Sequence, residues 1–204
     1  YETVNYDIPN MCDYYTHIKG NGEDKVTLMV YMVGSDLESD GGAASEDIAE
    51  MTAANADNIN ITLQTGGAAA WENASISDGK TERHIIKNGE LQNVENLGEA
   101  QMTSPNTLTD FIKWSASNYP ADRYELVLWN HGGGTALGFG YDEMYPDDML
   151  SLSQIGNALS DSGIKFDIVG FDACLMGTIE TAYMLEPYAD YLVASEEYEP
   201  GTGW

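Results

Sequence analysis

Residues 166–177 read FDIVGFDACLMG, and the reading of this stretch decides the fold. IVGF (168–171) is an apolar, β-prone run of the kind found in strands buried on both faces. Asp172, Ala173 and Cys174 follow as the turn that carries the chain out to the rim of a sheet. A cysteine in that place is either core packing, since free cysteine is among the most buried residue types, or a nucleophile at the lip of the sheet. The sequence on either side distinguishes the two.

Similar runs occur at KVTLMVYMVG (25–34), INITLQTGG (59–67), ELVLW (125–129) and DYLVAS (190–195). Between them lie segments with helical signals. ASEDIAEMTAAN (44–55) places acids early, where they complement a helix N-terminus. SPNTLTDFIKWSASNYP (104–120) places Leu108, Phe111, Ile112 and Trp114 near helical spacing and ends at Pro120. SLSQIGNALSDSG (151–163) aligns Leu152, Ile155 and Leu159 behind a Ser151 or Ser153 N-cap. TIETAYMLEPY (178–188) is a further helix, and TERHIIKNGELQNVENL (81–97) is a hairpin turning at Asn88-Gly89. Alternating strands and helices predict right-handed βαβ units and a mostly parallel sheet covered by helices on both faces. Residues 1–24 are polar, Tyr-rich and aperiodic, and are expected to form an N-terminal extension. Residues 25–204 form one domain, expected to lack its C-terminal part because no helix closes it after EPGTGW.

Charge narrows the function. The chain has 204 residues with 34 acids against 8 bases, a formal net charge of -26, which repels phosphate backbones and disfavours nucleic acid as a partner. No apolar run reaches the ~20 residues of a membrane span. No signal-peptide pattern is seen, and a chain starting at Tyr1 is expected to be a trimmed product. Cys12 and Cys174 do not make a disulfide framework. His17, His84 and His131 are scattered, with neither H-E-x-x-H nor C-x-x-C for zinc. The Gly-rich segments lack phosphate-loop spacing. The acidic loop YDEMYPDD (141–148) offers hard oxygen ligands to calcium but lacks EF-hand spacing, so a solvated loop is favoured.

In open parallel sheets, catalytic groups gather at the carboxyl ends of the strands. His131 follows ELVLW and Cys174 follows FDIVGF, so neighbouring strands would bring both to one rim. A thiolate attacks a carbonyl, and a histidine can pass a proton to the leaving group. Gly132, Gly133 and Gly134 leave backbone N–H groups unobstructed for an oxyanion hole. Asp172, two residues before Cys174, offers a carboxylate to a cationic substrate group. HGGG is also an oxyanion motif of lipases and esterases, but no serine here has glycine on both sides, so that reading lacks its nucleophile.

These stretches, together with VTLMVYMVGSDLE, LQTGGAAAW, NTLTDFIKWSASNYPADRYELVLWNHGGG, FDACLMGTIETAYML and ADYLVASEEYEPGTGW, resemble the clostripain family of cysteine peptidases from about Lys25 to Trp204. The resemblance implies an α/β, three-layer αβα sandwich of the caspase type. It implies Cys174 as nucleophile, His131 as general acid/base, and the N–H groups of Gly132 and Cys174 as oxyanion donors. It further implies Asp172 in the pocket for the residue before the scissile bond, with Ser195 and Glu196 as weaker candidates for pairing with substrate backbone. The implied activity is a bacterial, secreted or cell-surface endopeptidase cutting peptides and proteins after Arg or Lys. The resemblance also implies that no cofactor is required for the chemistry and that Ca2+ is a structural or activating ion. Relatives also form two chains from one precursor. Between His131 and Cys174 the one basic residue is Lys165, so self-cleavage in that interval is not expected. The competing reading is a catalytically silent domain of the same fold that binds basic peptides.

Overall fold

The computed structural model describes residues 22–54, 58–201 and 203; Cys12 and most of the expected extension lie outside the described residues. The elements are β1 (Val26–Val33), α1 (Ser35–Ser39), α2 (Ala43–Ala53), β2 (Ile59–Gly66), β3 (Thr81–Lys87), β4 (Glu90–Gly98) and α3 (Pro105–Asn118). They continue with β5 (Arg123–Trp129), α4 (Gly134–Leu137), α5 (Leu152–Ser162), β6 (Phe166–Asp172), α6 (Ile179–Leu185) and β7 (Ala189–Ala194). The strands form one sheet in the order β4-β3-β2-β1-β5-β6-β7. From β2 to β7 every neighbouring pair is parallel, and the β3–β4 hairpin adds an antiparallel edge. This is the mostly parallel α/β sheet expected from the alternation of apolar runs and helical segments.

The pleat of β1 explains why its sequence shows no polar alternation. Met29, Tyr31 and Val33 enter one core with α3, α5 and α6, including Leu108, Ile155 and Leu185. Val30 and Met32 enter the other, with Ala44 and Ile48 of α2. Successive side chains of a strand point to opposite faces, so a strand sandwiched between two helix layers must be apolar throughout. All four phenylalanines (111, 139, 166 and 171) are fully buried in the first core, each worth about 1.5–3 kcal/mol of apolar burial. Asn88 and Gly89 take φ 55° and 73°, the left-handed pair that a two-residue hairpin turn requires.

Two short helices depart from the sequence expectation. SDLES forms α1 directly after β1, and GTAL after the histidine forms α4. Both are too short to show a 3.6-residue period. The chain leaves β2 and β1 on one side and re-enters the sheet at β5 on the other side of β1. The strand order therefore reverses between β1 and β5. Ligands of open α/β sheets bind outside the carboxyl ends of the strands at such a reversal.

Candidate active site

Register brings the two reactive residues together. In the parallel β5–β6 pair, Trp129 lies opposite Asp172. His131 and Cys174 each follow two residues later, so both leave the sheet in step on strands about 4.8 Å apart. On the other side of β5, Met32 of β1 lies opposite Trp129, and Asp36 begins four residues beyond it. The reversal point thus gathers Asp36, His131 and Cys174 at one rim.

Buried backbone contacts hold this rim. The Asn130 N–H donates to the Asp172 carbonyl at 3.2 Å. The Asn130 amide donates to the Val33 carbonyl at 2.6 Å and to Ser35 Oγ at 2.8 Å, and its oxygen accepts the Tyr141 N–H at 2.5 Å. One buried side chain therefore ties the ends of β1 and β5 to the loop after α4. Ser35 itself is buried with φ 52°, and Leu175 has φ 64°. Both are left-handed positions that non-glycine residues seldom adopt. The Leu175 turn is held by its N–H donating to the Glu197 carbonyl at 3.0 Å. Gly132 abuts the cysteine turn so closely that an added Cβ would overlap the Cys174 carbonyl.

The resulting pocket, about 200 Å³, is lined by Leu37, Trp129, His131, Asp172, Cys174 and Glu199, among others. The Glu199 N–H donates to Cys174 Sγ at 3.3 Å, setting a positive partial charge against the sulfur. His131 Nε2 lies 2.9 Å from Asp36 Oδ1. On the pocket wall, the Trp129 indole N–H donates to Asp47 Oδ2 at 2.6 Å. Burial, then the charges of Glu199 and Asp47, push the Asp172 carboxyl up to about 7. Burial also raises Glu199 and Asp47 above the usual carboxylate range. A cation entering this pocket would meet three carboxyl groups and relieve their mutual repulsion. A larger cavity, about 450 Å³, sits at the opposite rim among Ile59, Ile61, Ile86 and Asn88. Its lining has no cysteine, serine or histidine, so it offers no comparable nucleophile–base pair.

The remaining expectations divide. Among the described residues, neither the Gly132 nor the Cys174 N–H is taken by a protein acceptor, whereas the Gly133 N–H is committed to the Gly138 carbonyl at 2.8 Å. Ser195 and Glu196 run beside Gly177, whose N–H donates to the Ser195 carbonyl at 2.7 Å, while Glu199 and Pro200 line the pocket. In the acidic loop, Asp142 accepts the Met102 and Met144 N–H groups, and Glu143 accepts Ser39 and the Ala69 N–H. These two carboxylates therefore pin the loop. Among the described residues no group of three or more His, Cys, Asp or Glu side chains is arranged to hold a metal. No helix of the described residues is long and apolar enough to cross a membrane.

A mostly parallel, helix-covered sheet with cysteine and histidine at the carboxyl ends of adjacent strands is the layout of the caspase-like cysteine peptidases. The profile described as the clostripain family matches residues 30–204, and the chain belongs to that family. Clostripain of Hathewaya histolytica is 32% identical over 221 residues, an alignment covering 90% of this chain and 41% of clostripain. A secreted C11 cysteine protease from Bacteroides thetaiotaomicron, solved with an irreversible peptide inhibitor, superposes with TM-score 0.72 at 23% identity, covering 88% of this chain and 51% of that one. An inactive zymogen C11 protease from Parabacteroides distasonis superposes with TM-score 0.65 at 26% identity, covering 88% and 50%. The chain thus spans about two fifths of clostripain's length and about half of each solved relative.

Proposed function

We propose that this chain carries the catalytic centre of a secreted or cell-surface cysteine endopeptidase that cleaves after Arg or Lys. The observation that supports it most is the shared register. His131 and Cys174 follow a directly paired residue couple on adjacent parallel strands and line one pocket with the Asp172 carboxyl.

The chemistry needs no cofactor. The Cys174 thiolate attacks the scissile carbonyl carbon, and the C=O π pair moves onto oxygen, where the Gly132 and Cys174 N–H groups donate to it. The C–N bond then breaks as protonated His131 gives its proton to the departing amine, leaving a thioester. Water attacks the thioester while neutral His131 takes its proton. Collapse expels the Cys174 thiolate beside the restored imidazolium, and the carboxylic acid product ionises. A side-chain cation from the residue before the scissile bond binds Asp172, with Glu199 and Asp47 adding to the attraction. A second chain from the same precursor is a further partner of this reading.

The test is exposure of the 204-residue protein to an Arg-peptidyl chloromethyl ketone and to its Gln counterpart, with adducts located by mass spectrometry. Arg-directed labelling of Cys174, and loss of fluorogenic Arg-peptide hydrolysis by at least about a thousandfold in Cys174→Ala, is the expected result. Hydrolysis that survives Cys174→Ala overturns the mechanism. Saturable binding of basic peptides without any labelling would instead favour the silent binding domain.

A further inference from the structure

Asp36 belongs to none of the roles assigned above. We propose that Asp36 is a positioning residue for His131: its carboxylate holds the imidazole Nε2–H, leaving Nδ1 as the nitrogen that exchanges protons with Cys174 and the leaving amine. The inference rests on the Cys174–His131 reading above.

Four observations carry it. His131 Nε2 stands 2.9 Å from Asp36 Oδ1, within hydrogen-bond distance. Burial acts to raise the Asp36 carboxyl, but the hydrogen bond and charge of His131, with hydrogen bonds from Ser35 and the Asp36 backbone, hold the group below its ordinary value. An ionised carboxylate can only accept, so the proton of this bond sits on Nε2. A neutral imidazole protonated there has its acceptor at Nδ1, and no other ring atom remains for the thiol. The acid is also set in place by the backbone that carries the base. Ser35, left-handed and buried, opens α1, and its Oγ accepts from the Asn130 amide at 2.8 Å. Asn130 is the residue from which His131 continues, so acid and base share one buried anchor. Finally, the pair spans the reversal between β1 and β5, where the fold concentrates its ligand site.

A half-exposed ion pair contributes little to stability, and with 41% of the His131 side chain exposed its ring has room to turn. The carboxylate's effect is therefore sought in the chemistry. With asparagine at position 36, the amide can donate to Nε2 and draw the ring proton to Nδ1, where it opposes proton uptake from the thiol. Alanine leaves the ring unrestrained.

The experiment measures ring 15N shifts of His131, assigned with His131→Gln, and the kinetics of Cys174 alkylation by the Arg-peptidyl chloromethyl ketone. At alkaline pH, where the ring is neutral, wild type is expected to show the Nε2–H tautomer, and Asp36→Asn and Asp36→Ala to lose it. The inactivation rate constant should fall on the order of 10²-fold to 10⁴-fold in Asp36→Asn, with the half-saturating concentration unchanged and Asp36→Glu recovering part of the loss. Unchanged ring shifts in both Asn and Ala variants, or unchanged alkylation rates, overturn the assignment. If wild type is not alkylated at Cys174, the peptidase reading fails by itself, and the ring shifts still decide whether Asp36 sets the tautomer.

Discussion

Gly132 meets two demands at once. Its N–H meets no acceptor among the described residues, and its α-carbon lies against the Cys174 carbonyl where no Cβ fits. Gly132→Ala must push the cysteine turn away or tilt the peptide, and either movement misaims the proposed oxyanion donor. Loss of one such donor costs on the order of 10²-fold to 10³-fold in rate. We expect Cys174 alkylation and Arg-peptide hydrolysis to fall by that factor; retention of wild-type rates would remove Gly132 from the site. At this scale the sequence is legible for residues that follow long apolar runs. Cys174 and His131 are found that way. Asp36 follows β1 under the same rule, but an acid among serines and glycines has an ordinary solvated reading. Nothing local states that β1 and β5 are neighbours. Glu199 and Asp47 escape for the same reason, since they reach the pocket from a loop and a helix distant in the chain.

Among the elements, α5 shows how completely a local signal can specify structure. Ser151 Oγ accepts the Gln154 N–H at 3.3 Å, and Gln154 Oε1 accepts the Ser151 N–H at 2.9 Å, a reciprocal capping box. Gly163, with φ 70°, ends the helix in the left-handed conformation. Ser151→Ala should cost about 1 kcal/mol, a fall in Tm of roughly 2–4 °C for a domain of this size. It lies away from the pocket, so alkylation of Cys174 should not change; thermal melts beside alkylation rates check both. The β3–β4 hairpin is equally legible, because Asn-Gly alone meets the turn's dihedral demands. By contrast α1 and α4 are single turns whose formation depends on contacts made by the folded rim. One of these is the Asn130 amide on Ser35.

At the scale of the whole molecule, the acidic pocket couples chemistry to stability. Asp172 holds its proton up to about pH 7 in the folded protein, whereas an unfolded aspartate releases it near 3.9. Between these values folding takes up a proton, so this group makes stability fall as pH rises from about 4 to 7, and its full penalty persists above 7. Asp172→Asn is therefore expected to raise Tm more at pH 8 than at pH 4. Equal shifts at both pH values would mean that Asp172 ionises without strain. The same variant should raise KM for Arg peptides more than for Gln peptides. For the wild type, the Arg preference should weaken as pH falls below about 7, where the carboxyl becomes neutral.

The sequence by itself determined the α/β class, the position of nearly every strand and long helix, and the two residues proposed for nucleophilic and proton-transfer chemistry. Those follow from periodicity, turn chemistry and the apolar runs that a doubly covered sheet requires, all of which are local. Only the tertiary structure decided that β1, β5 and β6 lie side by side with their ends in step. From that follow the meeting of His131 with Asp36, the joining of Asp172 by Glu199 and Asp47, and the approach of Gly132 to Cys174. Such contacts depend on strand order and register, which long-range packing sets and no short stretch of sequence encodes.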